Sequence, residues 1–240
     1  MDLQAVIFDF DGVLCDTVEY HYRSWKRLAQ EYGFPFDRKV NEKLLGLTRR
    51  RSLEVILDGR LPSEETTQEM LRRKNQYYLE LVDQMTSDDL LSGVIELLEE
   101  LRQANLKVGV ASASRNARRV LEQIGVDGYI NVIADGNTVQ RSKPAPDVYL
   151  QAAQGLQVES EACIAIEDSQ AGVRAALLAG MCVVGLGPPQ RVGKAQAVFP
   201  DLSSVRLSNL YFIYRWWEAA RPSSASELAQ ASETEPESIQ

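Results

Sequence analysis

The feature of this sequence that most limits its fold is a regular alternation of short apolar segments with helical patterns. Helical segments such as NARRVLEQIG and QAGVRAALLAG lie between the apolar ones, and Gly125 and Gly180 end two of these helices. Continuously apolar strands separated by helices are typical of a parallel sheet with helices on both faces. The sequence therefore predicts an α/β fold. The strand candidates lie at 5–10, 106–111, 129–134, 162–168 and 182–187.

The segment after the first strand differs in composition and in pattern. It is rich in Arg, Glu, Gln and Leu, it has no strand pattern, and we expect it to be entirely helical. Its first helix begins near Asp16 or Thr17, either of which can be the N-cap, and ends at Gly33. Open α/β sheets bind ligands at the carboxyl ends of their strands, so a helical insert at this point would cover such a site as a cap. The expected apolar stripe of the first helix is Val18, Tyr22, Trp25, Leu28, Ala29 and Tyr32.

These differences in composition and apolar periodicity divide the chain into three parts. We expect a core formed by 1–15 and 88–220, and a helical cap formed by 16–87. The last part, 221–240, is dominated by Ser, Glu, Ala and Gln and has no apolar periodicity. We expect this acidic tail to be disordered and to have no part in the chemistry.

The overall charge argues against two classes of partner. With 34 Asp and Glu against 26 Lys and Arg, the net charge is -8, so we expect the chain to bind neither nucleic acid nor a membrane. No apolar run reaches the roughly 18 residues of a membrane-spanning helix, and the first residues lack the basic segment of a secretion signal. We expect a cytoplasmic monomer in which Cys15, Cys163 and Cys182 are reduced core residues.

Two acidic pairs stand at the ends of predicted strands. Asp9 and Asp11 end the first strand two residues apart, so their side chains start from the same face, and Gly12 allows a sharp turn beyond them. Alone, such a pair is more often a polar strand end than a catalytic site. Glu167 and Asp168 form a second pair at the end of another apolar strand. The two pairs together predict a pocket in which carboxylates converge.

Converging carboxylates require a cation. Like charges about 4 Å apart repel each other by several kcal/mol at an intermediate dielectric constant. The motifs contain neither His nor Cys, and ligands that are all oxygen atoms predict Mg²⁺. A metal ion beside a carboxylate nucleophile suits phosphoryl transfer, because the metal offsets the repulsion between the carboxylate and an incoming phosphate.

Two further residues fit phosphoryl transfer. Ser112 follows the strand candidate at 106–111 and can donate a hydrogen bond to a phosphate oxygen. Lys143 precedes a Pro-x-Pro segment that opens a helix, and it can supply a fixed positive charge. Taken singly, such a serine is usually a helix cap and such a lysine is usually solvated. Their significance lies in their order along the chain.

The ordered motifs DFDGV, SAS, SKP and EDS resemble those of the haloacid dehalogenase superfamily over most of the chain. The resemblance implies a Rossmann-like parallel sheet core with an inserted all-helical cap domain. It implies that Asp9 is the nucleophile that becomes phosphorylated and that Asp11 is the general acid and base. Ser112 and Lys143 would bind phosphate. The implied Mg²⁺ ligands are Asp9, Glu167, Asp168 and the backbone carbonyl of Asp11.

Most members of this superfamily transfer the phosphoryl group to water, whereas a mutase needs a second phosphate site far from Asp9. Arg49 and the loop 114–116 are candidates, because arginine can bind phosphate oxygens with two hydrogen bonds. The alternative is that Arg49, Arg50 and Arg51 form a solvated helix end. Stretches of cap and core, among them GLTRRRSLEVIL and VASASRNARRVLEQIG, resemble the sugar phosphomutases of the superfamily.

This second resemblance implies conversion of β-D-glucose 1-phosphate to glucose 6-phosphate through β-glucose 1,6-bisphosphate. It also implies that His21, the single histidine, holds the loop that positions Asp11 when the cap closes, although a lone histidine on a helix is more often structural. The residues expected to contact the sugar phosphate are Thr17, Trp25, Gly46, Leu47, Arg49, Lys74, Ser114, Arg115 and Asn116.

Three functions fit these residues. The first is a sugar phosphomutase, and the second is a magnesium-dependent phosphatase of a small ester such as a hexose phosphate. The third is a protein that binds a sugar phosphate without catalysis. The presence of Asp9, Asp11, Lys143 and Asp168 argues against the third, because binding alone does not need all four.

Overall fold

The computed structural model describes residues 1–137, 139 and 141–221, and its centre is a parallel sheet. The strands are β1 (Ala5–Phe8), β2 (Lys107–Ala111), β3 (Val132–Ala134), β4 (Cys163–Glu167), β5 (Cys182–Leu186) and β6 (Ala197–Phe199). Their order in the sheet is β3-β2-β1-β4-β5-β6, and every neighbouring pair is parallel. The predicted Rossmann-like core is confirmed. The predicted tail at 221–240 lies outside the described residues, apart from Arg221.

The helices fall into two groups along the chain. The first group follows β1 and consists of α1 (Thr17–Tyr32), α2 (Arg38–Glu42), α3 (Arg49–Ile56) and α4 (Glu64–Val82). The second group is interleaved with the later strands and consists of α5 (Val94–Gln103), α6 (Ala117–Ile124), α7 (Asp147–Leu156), α8 (Gln170–Leu178), α9 (Pro189–Val192) and α10 (Leu207–Ala219). No strand lies between β1 and β2, so the insert is helical, as predicted.

Side chains of β1 alternate between two hydrophobic clusters, one on each face of the sheet. Val6 and Phe8 pack in the larger cluster, which includes side chains from α5, α6 and α10. Ala5 and Ile7 point to the opposite face and pack in a cluster with side chains from α7 and α8. A strand that is buried on both faces has no polar position, which is why these strands are continuous apolar runs in the sequence.

The cap has a small core of its own around α1. Trp25 and Leu28 pack there against Leu53 of α3 and Met70 of α4. α1 begins at Thr17 and ends at Gly33, whose φ of 74° is the left-handed conformation typical of a helix end. The predicted stripe is wrong at its last position, because Tyr32 lies at the end of the helix beyond the packed turns and is exposed.

Three details of the predicted elements are corrected. Asp16 precedes α1 but its side chain makes no capping hydrogen bond. The strand predicted at 129–134 begins only at Val132, because 127–129 form a short 3₁₀ turn. The sequence pattern also missed β6, which has only three residues, all half-buried, at the edge of the sheet.

α4 connects the cap with the core. Its last turn carries Tyr78 and Val82, which pack in the larger core cluster together with Met85. The domain boundaries at 15/16 and 87/88 stay a prediction. Within the described part of the chain, no helix is long and apolar enough to cross a membrane. The three cysteines are buried and form no disulfide, as predicted.

Candidate active site

The sheet brings the predicted catalytic residues to one edge. In the sheet register Phe8 of β1 pairs with Val110 of β2 and with Ile166 of β4. The residues that follow these partners, Asp9 directly after β1 and Glu167 at the end of β4, are therefore neighbours at the carboxyl ends of adjacent strands. A parallel sheet places all such strand ends on the same side, which is why motifs far apart in sequence meet here.

Lys143 lies at the centre of this edge. Its Nζ atom is 2.5 Å from Asp9 Oδ1 and 2.5 Å from Glu167 Oε1, and its side chain is only 1% exposed. Burial alone would lower the pKa of Lys143, but the two carboxylates raise it above its ordinary value, so the ammonium group stays charged. The lysine that the sequence left ambiguous is thus a buried cation held between two acidic groups.

Asp9, Glu167 and Asp168 form a compact acidic cluster. One carboxylate oxygen from each lies within 4.8 Å of the others, and all three residues are buried. Burial, followed by the charge of Glu167, raises the pKa of Asp9 well above its ordinary value. The same two causes raise the pKa of Asp168 to about 7. A positive charge would stabilise these carboxylates, and their oxygen atoms fit a hard divalent cation.

Gly12 keeps the loop after β1 close to this cluster. Its φ of 85° lies in the left-handed region, and a Cβ atom at this position would be only 2.6 Å from Asp168 Oδ2. Any larger residue would therefore strain the backbone and displace a carboxylate of the acidic cluster. The glycine of the DFDGV motif is required both for its conformation and for the space that it leaves.

Glu167 is the carboxylate most firmly bound to the protein. Its Oε1 accepts hydrogen bonds from Lys143 and from the Tyr149 hydroxyl, the latter at 2.8 Å. Its Oε2 accepts from the backbone N–H and the hydroxyl of Ser169, both at 3.0 Å. A cation bound at the predicted metal site would share one of these oxygens with its present donors.

Asp11 points toward the cap rather than toward the acidic cluster. The Thr17 hydroxyl donates a hydrogen bond to Asp11 Oδ1, and His21 Nε2 lies 3.5 Å from the same oxygen. Burial would raise the pKa of Asp11, but the contacts with His21 and Thr17 lower it below its ordinary value. Asp9 and Asp11, which share a motif, therefore differ in their electrostatic environments.

A buried lysine fixes the orientation of His21. Lys74 Nζ is 2.6 Å from His21 Nδ1, and its side chain lies against the rings of Trp25 and Tyr78. Burial, followed by the charge of Lys74, lowers the pKa of His21. A neutral imidazole that accepts from Lys74 at Nδ1 carries its proton on Nε2, the nitrogen that faces Asp11.

Arg49 joins cap and core through an asparagine. Arg49 Nη2 donates to Asn75 Oδ1 at 2.6 Å, and Asn116 Nδ2 of the core donates to the same oxygen at 2.8 Å. Burial, followed by the charge of Arg115, lowers the pKa of Arg49 to about 10. Two guanidinium groups that face one space in this way favour an anion between them.

The three consecutive arginines of α3 have different environments. Arg50 forms a bidentate ion pair with Glu64, with distances of 2.8 and 2.9 Å, and Arg51 pairs with Glu54 at 2.7 Å. Both side chains are exposed. The interpretation as a solvated helix end therefore applies to Arg50 and Arg51, whereas Arg49 turns inward.

A cavity of about 520 Å³ lies between cap and core and connects these groups. The loop at Gly46 brings the cap onto the core, because a Cβ atom there would be 3.1 Å from Ser169 Oγ. The predicted residues that line the cavity are Asp9, Asp11, His21, Trp25, Gly46, Leu47, Arg49, Lys74, Ser114 and Arg115. The predicted residues that do not are Thr17, Ser112, Asn116, Lys143, Glu167 and Asp168.

Two hydroxyl groups organise the loop after β2. The N–H of Ser114 donates to Ser112 Oγ at 3.0 Å, and the N–H of Asn116 donates to Ser114 Oγ at 3.2 Å. Each hydroxyl acts as an acceptor in these contacts and so keeps its own proton for donation. Ser112 is fully buried at the end of β2, the strand next to β1, and the tight turn is compatible with the predicted phosphate contact.

The sequence did not reveal three polar residues of the site. Asn75 of α4 bridges Arg49 and Asn116, Tyr149 of α7 supports Glu167, and Arg191 of α9 lies 3.7 Å from Asp168. Asn75 directly follows Lys74, which was predicted, but its role depends on how the cap lies on the core. Only the three-dimensional arrangement identifies these residues.

Comparisons with known proteins agree with this arrangement. A family model described as haloacid dehalogenase-like hydrolase matches residues 6–186. The chain is 40% identical to a beta-phosphoglucomutase of Bacillus subtilis, over 91% of this chain and 97% of that protein. It is also 29% identical to a phosphorylated carbohydrates phosphatase of Thermotoga maritima, over 75% of this chain and 82% of that one.

A solved structure shares both halves of the fold. The crystal structure of a beta-phosphoglucomutase from Clostridium difficile superposes on this chain with a TM-score of 0.88 at 38% identity. The match covers 91% of this chain and 100% of that one. Since the family model spans the ordered motifs and the chain covers 97% of the Bacillus subtilis relative, this chain belongs to the haloacid dehalogenase-like hydrolase family.

Proposed function

We propose that this chain is a sugar phosphomutase that converts β-D-glucose 1-phosphate to β-D-glucose 6-phosphate, through a phosphorylated Asp9 and a glucose 1,6-bisphosphate intermediate. The observation that carries the proposal is a cavity with Asp9 on one wall and Arg49 and Arg115 elsewhere on it. A bisphosphate needs a site for each phosphate group. The likeness to the beta-phosphoglucomutase of Bacillus subtilis supports the same substrate.

Asp9 is the phosphate carrier in this proposal. Phosphorylated Asp9 passes its phosphoryl group to the C6 hydroxyl of β-glucose 1-phosphate, which gives the 1,6-bisphosphate. The bisphosphate turns over in the cavity, and the Asp9 carboxylate then attacks the phosphorus atom at C1. Lys143 holds Asp9 at 2.5 Å and offsets negative charge as the phosphoryl group arrives, and Ser112 donates to a phosphate oxygen.

Asp11 moves the proton in both half-reactions. It removes the proton of the C6 hydroxyl in the first transfer. In the second, the bond between phosphorus and the C1 oxygen breaks as Asp9 is phosphorylated, and Asp11 returns a proton to that oxygen. The hydrogen bond from Thr17 and the His21 Nε2 group hold Asp11 toward the cavity. Lys74 acts through His21, because it fixes the tautomer that presents a donor to Asp11.

The acidic cluster is the proposed site for Mg²⁺, with Asp9, Glu167, Asp168 and the carbonyl of Asp11 as ligands. When bound, the ion supplies positive charge that neutralises the transferring phosphoryl group. The residues support this assignment by their chemistry, since their carboxylate oxygens are buried. Burial, followed by the charge of Glu167, raises the pKa values of Asp9 and Asp168, and a bound cation would oppose both causes.

The cap supplies the preference for a sugar over water. Arg49, Lys74 and His21 all come from cap helices, whereas Asp9 and Lys143 belong to the core. A sugar phosphate that binds Arg49 stabilises the closed arrangement, in which His21 lies beside Asp11. Water makes no such contact, so it cannot stabilise the closed arrangement in which Asp11 is oriented.

The direct test is a product analysis. The purified chain is incubated with Mg²⁺, β-glucose 1-phosphate and a trace of β-glucose 1,6-bisphosphate, and glucose 6-phosphate and inorganic phosphate are both measured. We expect glucose 6-phosphate with little free phosphate. The α anomer serves as the matched control and should give no product, because its C1 phosphate points away from the position required at Asp9.

A phosphatase of a hexose phosphate is the second candidate. The likeness to the phosphorylated carbohydrates phosphatase of Thermotoga maritima favours it, since the same core residues would act with water as acceptor. Release of one inorganic phosphate for every ester consumed, without formation of glucose 6-phosphate from the β anomer, would replace the mutase by this second function.

A further inference from the structure

Arg191 stands beside the acidic cluster, on an element that the sequence motifs do not include. It belongs to the short helix α9, which follows β5. Glu167 of β4 pairs with Gly185 of β5, so the segment after β5 reaches the same edge of the sheet as Asp168. Arg191 Nη2 lies 3.7 Å from Asp168 Oδ2. A cation is therefore present next to the proposed metal site.

The carboxylates of the acidic cluster form ion pairs with different cations. Lys143 is shared by Asp9 and Glu167 at 2.5 Å, and both of those contacts are buried. Among the ion pairs of the described residues, Asp168 has Arg191 alone. Asp168 is 8% exposed and Arg191 is 37% exposed, so Arg191 approaches the cluster from the solvent side.

The position of the guanidinium group is not explained by hydrogen bonding. Its Nε atom is buried and has no partner within the part of the chain that the structure describes. A buried donor without an acceptor is uncommon and calls for a reason. Gly187 leaves room for the group, because its φ is 105° and a Cβ atom there would be 2.6 Å from Arg191 Nη2. Among the ion pairs of the described residues, the guanidinium group of Arg191 has the one with Asp168, which draws it toward the acidic cluster.

We propose that Arg191 is the counter-ion of Asp168 and that its charge sets the affinity of the acidic cluster for a divalent cation. This inference rests on the proposed function, which makes the cluster a metal site. A divalent ion at Asp168 meets the positive charge of Arg191 at close range, so the arginine weakens binding. The site would then release and exchange its ion more readily than an acidic cluster without an arginine.

The size of the effect follows from the partial exposure of Arg191. Charges near the protein surface are screened by water and salt, which reduces the repulsion far below its value in a dry interior. We expect removal of the charge to tighten Mg²⁺ binding about tenfold, which corresponds to about 1.4 kcal/mol. If Arg191 had only a structural role, its replacement would not strengthen metal binding.

The test is calorimetric titration of the full chain with MgCl₂, without substrate, so that binding is measured independently of turnover. Arg191→Gln removes the charge and should bind Mg²⁺ about tenfold more tightly than the unaltered chain. Arg191→Lys keeps the charge and should stay within about threefold of the unaltered chain. Lys194→Gln is the matched control, because it removes an equal charge from an exposed position three residues further on, and it should change binding less than twofold.

The outcomes separate the inference from the proposed function. Unchanged or weaker binding by Arg191→Gln overturns the role of Arg191, as does equal tightening by Lys194→Gln. If the unaltered chain binds no Mg²⁺, the metal site of the proposed function fails first. Thermal unfolding of each variant with and without MgCl₂ gives a second reading, and the largest rise in Tm on addition of MgCl₂ should belong to Arg191→Gln.

Discussion

The two walls of the cavity differ in how their side chains are held. On the core side, Asp9 and Glu167 stand at the carboxyl ends of adjacent strands of a sheet that is buried on both faces. On the cap side, Arg49 and Lys74 come from helices that pack around a much smaller hydrophobic cluster. The core wall is rigid because many strands define it, whereas the cap wall is correctly placed only when the cap lies against the core.

This difference predicts a division of labour. Residues of the core wall should matter for every substrate, since they touch the phosphoryl group itself. Residues of the cap wall should matter only for substrates large enough to reach them. Acetyl phosphate reaches Asp9 but has no second phosphate group, so a comparison of acetyl phosphate hydrolysis with mutase flux separates the two walls.

The largest effect is expected from Asp9→Asn. The amide cannot form an acyl phosphate, and both mutase flux and acetyl phosphate hydrolysis should fall by at least about 10⁴-fold. Mass spectrometry of the intact chain should detect no phosphorylated form. Asp16→Asn is the control, because Asp16 is exposed and precedes α1 without a capping bond. Turnover retained in Asp9→Asn would remove the nucleophile assigned to the core wall.

The next effect belongs to the cap wall alone. Arg49→Ala should lower the kcat/KM of the mutase reaction by about 10²-fold, since loss of a partly buried charged partner costs a few kcal/mol. Hydrolysis of acetyl phosphate should change less than about threefold. Arg51→Ala, which breaks only an exposed ion pair with Glu54, should leave both reactions nearly unchanged. Equal losses on both substrates in Arg49→Ala would contradict a separate phosphate site.

The sequence predicted the core wall more completely than the cap wall, and the reason is physical. Parallel strands must end at one edge, so Asp9 and Glu167 could be brought together from their positions in apolar segments. Asn75 carries no such signal, because its hydrogen bonds to Arg49 and Asn116 cross from cap to core. Arg191 was missed for a related reason, since a single arginine in a helix of four residues gives no periodic pattern.

Within the fold, the misassigned positions are those where local pattern and packing diverge. Tyr32 continues an apolar stripe but lies on the last turn of α1, beyond the cluster that buries Trp25 and Leu28. β6 is too short and too exposed to resemble a buried strand, yet it pairs with β5 at the edge of the sheet. Pairing with a neighbour, rather than its own composition, makes it a strand.

A smaller effect should come from Asn75→Ala, at the contact between the two walls. The variant loses the acceptor shared by Arg49 and Asn116, and hydrogen bonds of this kind contribute about 1 kcal/mol each. We expect mutase kcat/KM to fall about tenfold while acetyl phosphate hydrolysis stays unchanged. Gln76→Ala is the matched control on the same helix, since the side chain of Gln76 donates a hydrogen bond to the exposed Glu80 and does not line the cavity. A loss confined to kcat, with KM unaltered, would argue against a role in closing the cap over the sugar.

The smallest effect is a dependence of stability on pH that His21 confers on the cap wall. Burial and then the charge of Lys74 lower the pKa of His21 in the folded chain, so the unfolded chain binds a proton at a higher pH than the folded chain does. The stabilisation is fully present above the ordinary histidine pKa of about 6.5 and is lost as the pH falls through the lowered value. His21→Gln has no group at this position that titrates. We therefore measure the free energy of unfolding of both chains in urea from pH 8 to pH 5. As the pH falls, the unaltered chain should lose stability relative to the variant. Asp168 has no ion pair with His21 among the described residues, so it titrates alike in both chains and cancels in this difference. A difference that is flat with pH would contradict the burial of His21 beside Lys74.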